Sequence, residues 1–269
     1  MTAKKAILVV SFGTSFNDNR VKTIGAVEKD IADAFPDYEV RRAFTSKMII
    51  AKLKKRDNEH IDYITEAIDR LADDGFTDVI VQPTHIMNGI EYDFVFNAVR
   101  ERASRFENIR VGKPLLTSEE DYDKVLEAIS KDILPEAEKA AGGKVGVVFM
   151  GHGTEHFANA TYGQLQLKFM TRNLPQVFVT TVEGFPGYYD TLKIMDSRGL
   201  RKIVLLPFML VAGDHANNDM AGDDEDSMKN VFSKEGYDVT CIVKGLGEYP
   251  SFRKLFVDHV ADAIKAGEE

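Results

Sequence analysis

A chain of 269 residues, 44% hydrophobic and 29% charged, has the balance of a folded globular protein, and its length suits two lobes of similar size better than one large domain. A formal charge of −9 without a clustered basic surface argues against a nucleic-acid partner, and the single cysteine, Cys241, excludes an intramolecular disulfide and any multi-cysteine zinc or iron–sulfur site. No window approaches the roughly 18 consecutive apolar residues of a membrane span. The chain runs from Met1 past Lys4 and Lys5 straight into a strand-like segment with no A-x-A site, so a cytoplasmic protein with no membrane partner is expected.

Ala6-Ile7-Leu8-Val9-Val10 is short, apolar and β-branched and stops at Ser11-Phe12-Gly13-Thr14-Ser15, the pattern of a buried strand and its loop. Val21, Ile24, Val27, Ile31 and Phe35 recur at helical spacing until Pro36. A strand over Tyr38 to Phe44, a helix carrying Ile61, Ile64, Ile68 and Leu71 with Gly75 at its end, and a strand over Asp78 to Gln82 follow. Glu91 to Phe106 predicts a helix, Ile109 to Pro114 a strand, and Glu119 to Ala141 a long amphipathic helix before Gly142-Gly143. Val145 to Phe149, Val177 to Val182, Ile203 to Phe208 and Val239 to Val243 are further strands with helical patterns between them. Cys241 lies in the last, where a buried core thiol is expected. This alternation predicts an α/β protein of two similar Rossmann-like lobes, each a parallel sheet flanked by helices: 1–118, then 119–269 with connecting and C-terminal helices.

The halves also resemble each other. The segment from Lys5 to Thr14 lies on that from Lys144 to Thr154 with Phe12 opposite His152 and Gly13 opposite Gly153. Asp78 to Pro83 with Gly89 and Glu91 matches Lys202 to Pro207 with Gly213 and His215 without a gap, which predicts an internal duplication. In such sheets ligands bind outside the carboxyl ends of the strands, and loops of two lobes can face one another there. His85, Glu91, His152, Glu183 and His215 all follow predicted strands.

The glycines of Gly151-His152-Gly153-Thr154 allow a tight turn that opens the imidazole to a cleft, although a plain turn histidine fits as well. A dinucleotide fingerprint is weaker, because His156 stands where the third glycine should be. His215 follows Gly213, and Asp214 or Asp219 could fix its tautomer; the alternative is that Asp214 caps a helix beside an exposed histidine. Glu183 would complete a two-histidine, one-carboxylate set suited to Co2+, Fe2+, Ni2+ or Zn2+ with positions left open for substrate. Glu91, opposite His215 in the other half, reads as a proton acceptor or as a solvated acid in a helix first turn. A hydrolase built on Ser11 and His152 lacks the G-x-S-x-G elbow, and a two-lobed binding protein without turnover is the other competing class.

Over nearly its full length the chain resembles the anaerobic sirohydrochlorin cobaltochelatases, relatives of the ferrochelatases. The resemblance rests on five blocks: Leu8 to Ser15, Arg42 to Ser46, His85 to Gly89 with Glu91-Tyr92, Val148 to Gly153, and Leu210 to Met220. It implies His152 and His215 as metal-site histidines, Glu183 as the metal-site carboxylate, and His152 and Glu91 as the catalytic pair. It further implies Co2+ as a substrate ion inserted into sirohydrochlorin with release of two protons in cobalamin synthesis, and no organic cofactor. Fe2+ or Ni2+ as the ion, and a non-catalytic tetrapyrrole- or metal-binding protein, are the alternatives; a homo-oligomer is left open. For the substrate and its carboxylates the candidates are the loop Ser11, Phe12, Gly13, Thr14 and Ser15, Thr45-Ser46, Arg42 and His85.

Overall fold

The computed structural model describes residues 3 to 267. They form two compact units, one made of the residues up to Thr117 together with those from Phe252 onward, the other of Ser118–Ser251. The division at Thr117 falls one residue before the expected boundary, but the C-terminal helix, Pro250–Lys265, goes mostly to the first unit rather than the second. Its apolar spacing alone could not say which sheet it would join. Within the first unit Arg253 donates to Asp30 at 2.6 Å and the His259 ring bonds the Lys113 carbonyl at 3.0 Å.

In the first unit β1 (Lys5–Ser11), β2 (Glu39–Phe44), β3 (Asp78–Pro83) and β4 (Asn108–Val111) make a parallel sheet in the order β2-β1-β3-β4. In the second, β5 (Gly146–Gly151), β6 (Val177–Thr181), β7 (Lys202–Pro207) and β8 (Asp238–Cys241) repeat it as β6-β5-β7-β8. The registers agree too, Val10 standing opposite Pro83 and Met150 opposite Pro207. Just beyond, Thr84 N–H donates to the Val10 carbonyl at 2.8 Å and Phe208 N–H to that of Met150 at 2.7 Å. The expected two-lobed, duplicated α/β fold is borne out.

Strands covered on both faces read as continuous apolar runs, and Ala6 to Val10 are all fully buried. Ile64, Ala67, Ile68 and Leu71 of the helix Ile64–Asp73 pack with Ala6, Leu8 and Val10 and with Val95 and Val99 of the helix Ile90–Arg102. The second unit buries Val148, Met150 and Phe178 with Leu192, Met195 and Phe232. Each such side chain contributes about 1.5–3 kcal/mol when removed from water. Cys241 is half-buried on β8, and burial pushes its thiol pKa up.

One helix escapes the apolar pattern. Lys47–Asp57 buries only Leu53; it starts where the Ser46 hydroxyl accepts from Ile49 N–H at 3.3 Å and stops at Asn58, whose φ is 52°. Among the described residues no helix is long and apolar enough to cross a membrane.

Candidate metal site

The site grows out of the parallel ladder at the end of β5. Val182 N–H donates to the Gly151 carbonyl at 3.1 Å, and Glu183 N–H to the His152 carbonyl at 2.7 Å, so the backbones of His152 and Glu183 lie side by side. Glycine is required on both sides of the histidine. A Cβ on Gly151 would stand 2.4 Å from the Tyr162 ring; one on Gly153, whose φ is +85°, would stand 2.3 Å from the Glu183 carbonyl oxygen.

His215 arrives from the loop after β7, and its ring meets that of His152 edge-on with centroids 4.6 Å apart. Nδ1 of His152 lies 2.9 Å from the Gly153 carbonyl, and Nδ1 of His215 lies 2.6 Å from the Asp219 carboxylate. Carbonyl and carboxylate oxygens only accept, so both imidazoles carry their hydrogen on Nδ1 and, when neutral, present Nε2 as a bare lone pair. Such a lone pair can bind a metal ion or take a proton. Asp219 thus fixes the tautomer; Asp214 instead accepts from the Asn218 side chain at 3.0 Å.

The third expected donor is not assembled with them. The Glu183 side chain is exposed, and among the described residues no three His, Cys, Asp or Glu side chains lie close enough together to hold a metal ion. The structure therefore unites two of the three predicted donors and only the backbone of the third.

In the first unit Glu91 sits in the first turn of its helix, with one carboxylate oxygen buried and without a hydrogen-bond partner. His85 has both ring nitrogens buried and unpartnered, and burial lowers its pKa to about 4, so the ring is neutral at neutral pH. The expectation that loop amides wait for substrate carboxylates is corrected at Thr45 and Ser46. These two amides continue the β1–β2 ladder, donating to the Ser11 and Phe12 carbonyls at 3.0 and 3.2 Å.

The hydroxyls of the same loops are likewise engaged. Ser11 is 2.7 Å from the Thr84 hydroxyl, Thr14 accepts from Phe16 N–H at 3.2 Å, and Ser46 caps its helix. Gly13, with φ +100°, lies against the Phe44 ring, whereas Phe12 is 47% exposed. Arg42 is not a waiting cation either, since its guanidinium forks onto Glu28. Sequence reasoning missed Tyr162, a buried phenol whose oxygen accepts weakly from Gly153 N–H at 3.5 Å and whose pKa burial pushes up to about 12. Nothing in the spacing marks it, because it sits among other apolar positions of a helix.

Two sheets of one topology thus carry, at the end of β5 in the second, a pair of imidazoles held by Nδ1 beside a glycine turn. The model of the cobalt chelatase (CbiK) family matches residues 5–265, and the chain belongs to that family. It is 41% identical to the sirohydrochlorin cobaltochelatase of Salmonella typhimurium over 99% of this chain and 98% of that one. It is 31% identical to the sirohydrochlorin cobaltochelatase CbiKC of Nitratidesulfovibrio vulgaris over 98% of this chain and 92% of the relative. Among solved structures it shares its fold with Bacillus subtilis SirB bound to Fe3+, at TM-score 0.65 and 14% identity over 99% and 98% of the two chains. The cobalt complex of SirB from Bacillus subtilis subspecies spizizenii gives TM-score 0.62 at 16% identity, over 98% and 97%.

Proposed function

We propose that this chain is a sirohydrochlorin cobaltochelatase, which exchanges Co2+ for the two pyrrole N–H protons of its substrate on the anaerobic route to cobalamin. The two near-full-length relatives support the substrate and the ion. The observation that carries the chemistry is the pair of imidazoles whose Nε2 lone pairs are both set free by a bond at Nδ1.

Insertion brings one doubly charged ion in and sends two protons out, with no change of oxidation state. A neutral imidazole suits both halves of that exchange, because it binds a first-row ion without the charge of a carboxylate or thiolate and then accepts a proton as the ion leaves for the ring. His152 is the ligand and first proton acceptor in this reading. His215, its tautomer held by Asp219, is the second ligand. Glu183 is the third; its exposed side chain can turn toward the imidazoles while its N–H stays on the His152 carbonyl. Glu91 takes the second proton, an assignment supported by its unpartnered buried oxygen.

The exposed Phe12 ring and the neutral His85 serve the macrocycle directly; Ser11, Gly13, Thr14 and Ser46 shape the loop that carries Phe12. The same nitrogen and oxygen donors accept Fe2+ and Ni2+, so the ion is ranked by rate and not by ligand type. The setting proposed is cytoplasmic, without nucleic acid, membrane or organic cofactor.

The test follows the tetrapyrrole absorbance under anaerobic conditions with sirohydrochlorin and Co2+, Fe2+ or Ni2+ in turn. Enzyme-dependent insertion fastest with Co2+ and lost in His152→Ala is the expected result. No acceleration with any ion would overturn the reading in favour of a binding protein.

A further inference from the structure

We infer that Asn159 is a positioning residue that locks the His152 loop to the Glu183 loop; the inference rests on the chelatase reading, in which those two residues are donors. Its side-chain oxygen accepts from Thr154 N–H at 3.1 Å, two residues beyond His152. Its side-chain nitrogen donates to the Phe185 carbonyl at 2.8 Å, two residues beyond Glu183. The β5–β6 ladder ends at the bond from Glu183 N–H to the His152 carbonyl, and past that point the Asn159 amide ties the two loops together.

The contact leaves no slack. A Cβ on Gly153 would stand 2.3 Å from the Glu183 carbonyl oxygen, and one on Gly184 would stand 2.6 Å from the Asn159 side-chain oxygen. The loops can lie this close only with glycine at both places and a small planar group beside them. An amide supplies one acceptor and one donor in the same plane. Aspartate has the same shape but no N–H, and it would set a negative charge against the Phe185 carbonyl.

The first unit supplies a matched control. Laying Thr14 on Thr154 puts Asn19 on Asn159, and the two threonine hydroxyls accept from Phe16 and His156 N–H at 3.2 and 3.1 Å. Phe12 replaces the histidine there, so Asn19 is the corresponding position in a loop that carries no proposed donor.

The experiment uses the full chain with Asn159→Asp, Asn159→Ala, Asn19→Ala and His152→Ala. It reads the thermal midpoint, the Kd for Co2+ alone, the visible d–d band of bound Co2+, and kcat and KM for insertion. Both Asn159 variants should fold, bind Co2+ about tenfold more weakly with an altered band, and lose kcat more than KM. Asn19→Ala should keep the wild-type Kd and band. Asn159→Asp with Kd, band and kcat within twofold of wild type would overturn the inference, as would Asn19→Ala shifting Kd and band as far as Asn159→Ala. If Asn159→Asp does not fold, Asn159→Ser is read by the same criteria. Wild-type Co2+ binding and turnover in His152→Ala would instead overturn the metal-site reading beneath it.

Discussion

The first and second units make the same backbone bonds with different side chains. Ser46 N–H donates to the Phe12 carbonyl in one, and Glu183 N–H to the His152 carbonyl in the other. Leu115 N–H meets the His85 carbonyl, and Leu246 N–H meets that of Met209, both at 2.9 Å. The frame thus has fixed slots at its strand ends, filled in the first unit by Phe12, Ser46, His85 and Glu91 and in the second by His152, Glu183, Met209 and His215. The difference reaches behind the slots as well. Asp219, which fixes His215, corresponds to Val95, buried in the core of the first unit. In the proposed site a donor needs the slot residue and the group behind it, as His215 and Asp219 supply in the second unit.

The hardest way to break that contrast is to write the first unit's residue into the second. His152→Phe should leave the fold intact, since the Phe12 backbone makes the same bond, yet lower insertion by on the order of 10²–10⁴-fold through loss of a ligand and proton acceptor. Far-UV circular dichroism beside the absorbance assay checks it; activity within tenfold of wild type would remove His152 from the mechanism. Asp219→Ala tests the group behind the slot. With Nδ1 of His215 released, the ring can rotate and change tautomer, and Co2+ affinity should fall about 10–100-fold at unchanged stability. Isothermal titration with Co2+ measures this, and an unchanged Kd would show that the carboxylate does nothing for the imidazole.

Gly13→Ala and Gly153→Ala form a matched pair. Both residues have positive φ, and an added Cβ would meet the Phe44 ring at 2.5 Å in one and the Glu183 carbonyl at 2.3 Å in the other. Strain and overlap should cost each unit about 2–4 kcal/mol in urea unfolding. Only Gly153→Ala should also weaken Co2+ binding, because only there does the displaced atom belong to a residue of the proposed metal set. Equal effects on Co2+ in the two variants would mean that the two loops are not functionally distinct.

Most of this frame was readable before any coordinates. β1, β3, β5, β6 and β7 appear as apolar runs because parallel strands covered on both faces have no polar alternation to blur them, whereas the edge strands β2, β4 and β8 are mixed in sequence and only half-buried. The gapless match of Pro83, Gly89 and Glu91 to Pro207, Gly213 and His215 marked the duplication that the registers repeat. Lys47–Asp57 stayed hidden because one buried leucine makes no periodic signal, and that in turn hid Ser46 as its cap. Both histidines stood out beside glycines, but the bond that frees each Nε2 depends on ring orientation, which no spacing encodes. The sequence offered Asp214 and Asp219 equally; a four-residue step along the turn brings Asp219 to His215, while Asp214 turns to Asn218.

The slot that runs the other way is His85, a half-buried residue with both ring nitrogens shielded from solvent, where the second unit has Met209. Both ring nitrogens lack partners, and burial alone lowers the pKa from 6.5 to about 4. Between those values the unfolded chain binds a proton that the folded chain refuses. Stability is therefore insensitive to this residue above pH 6.5 and falls as pH drops from 6.5 toward 4, by at most about 1.4 kcal/mol for each unit. Writing the second unit's residue into the first, His85→Met, removes the proton-binding group and keeps an apolar side chain that the homologous slot already accommodates. Urea midpoints taken from pH 7 down to 5 should then show a shallower acid loss in the variant, with the gap opening only below pH 6.5. Parallel pH profiles would mean that His85 is hydrated or bonded in solution, and that the two slots differ less in polarity than their residues suggest.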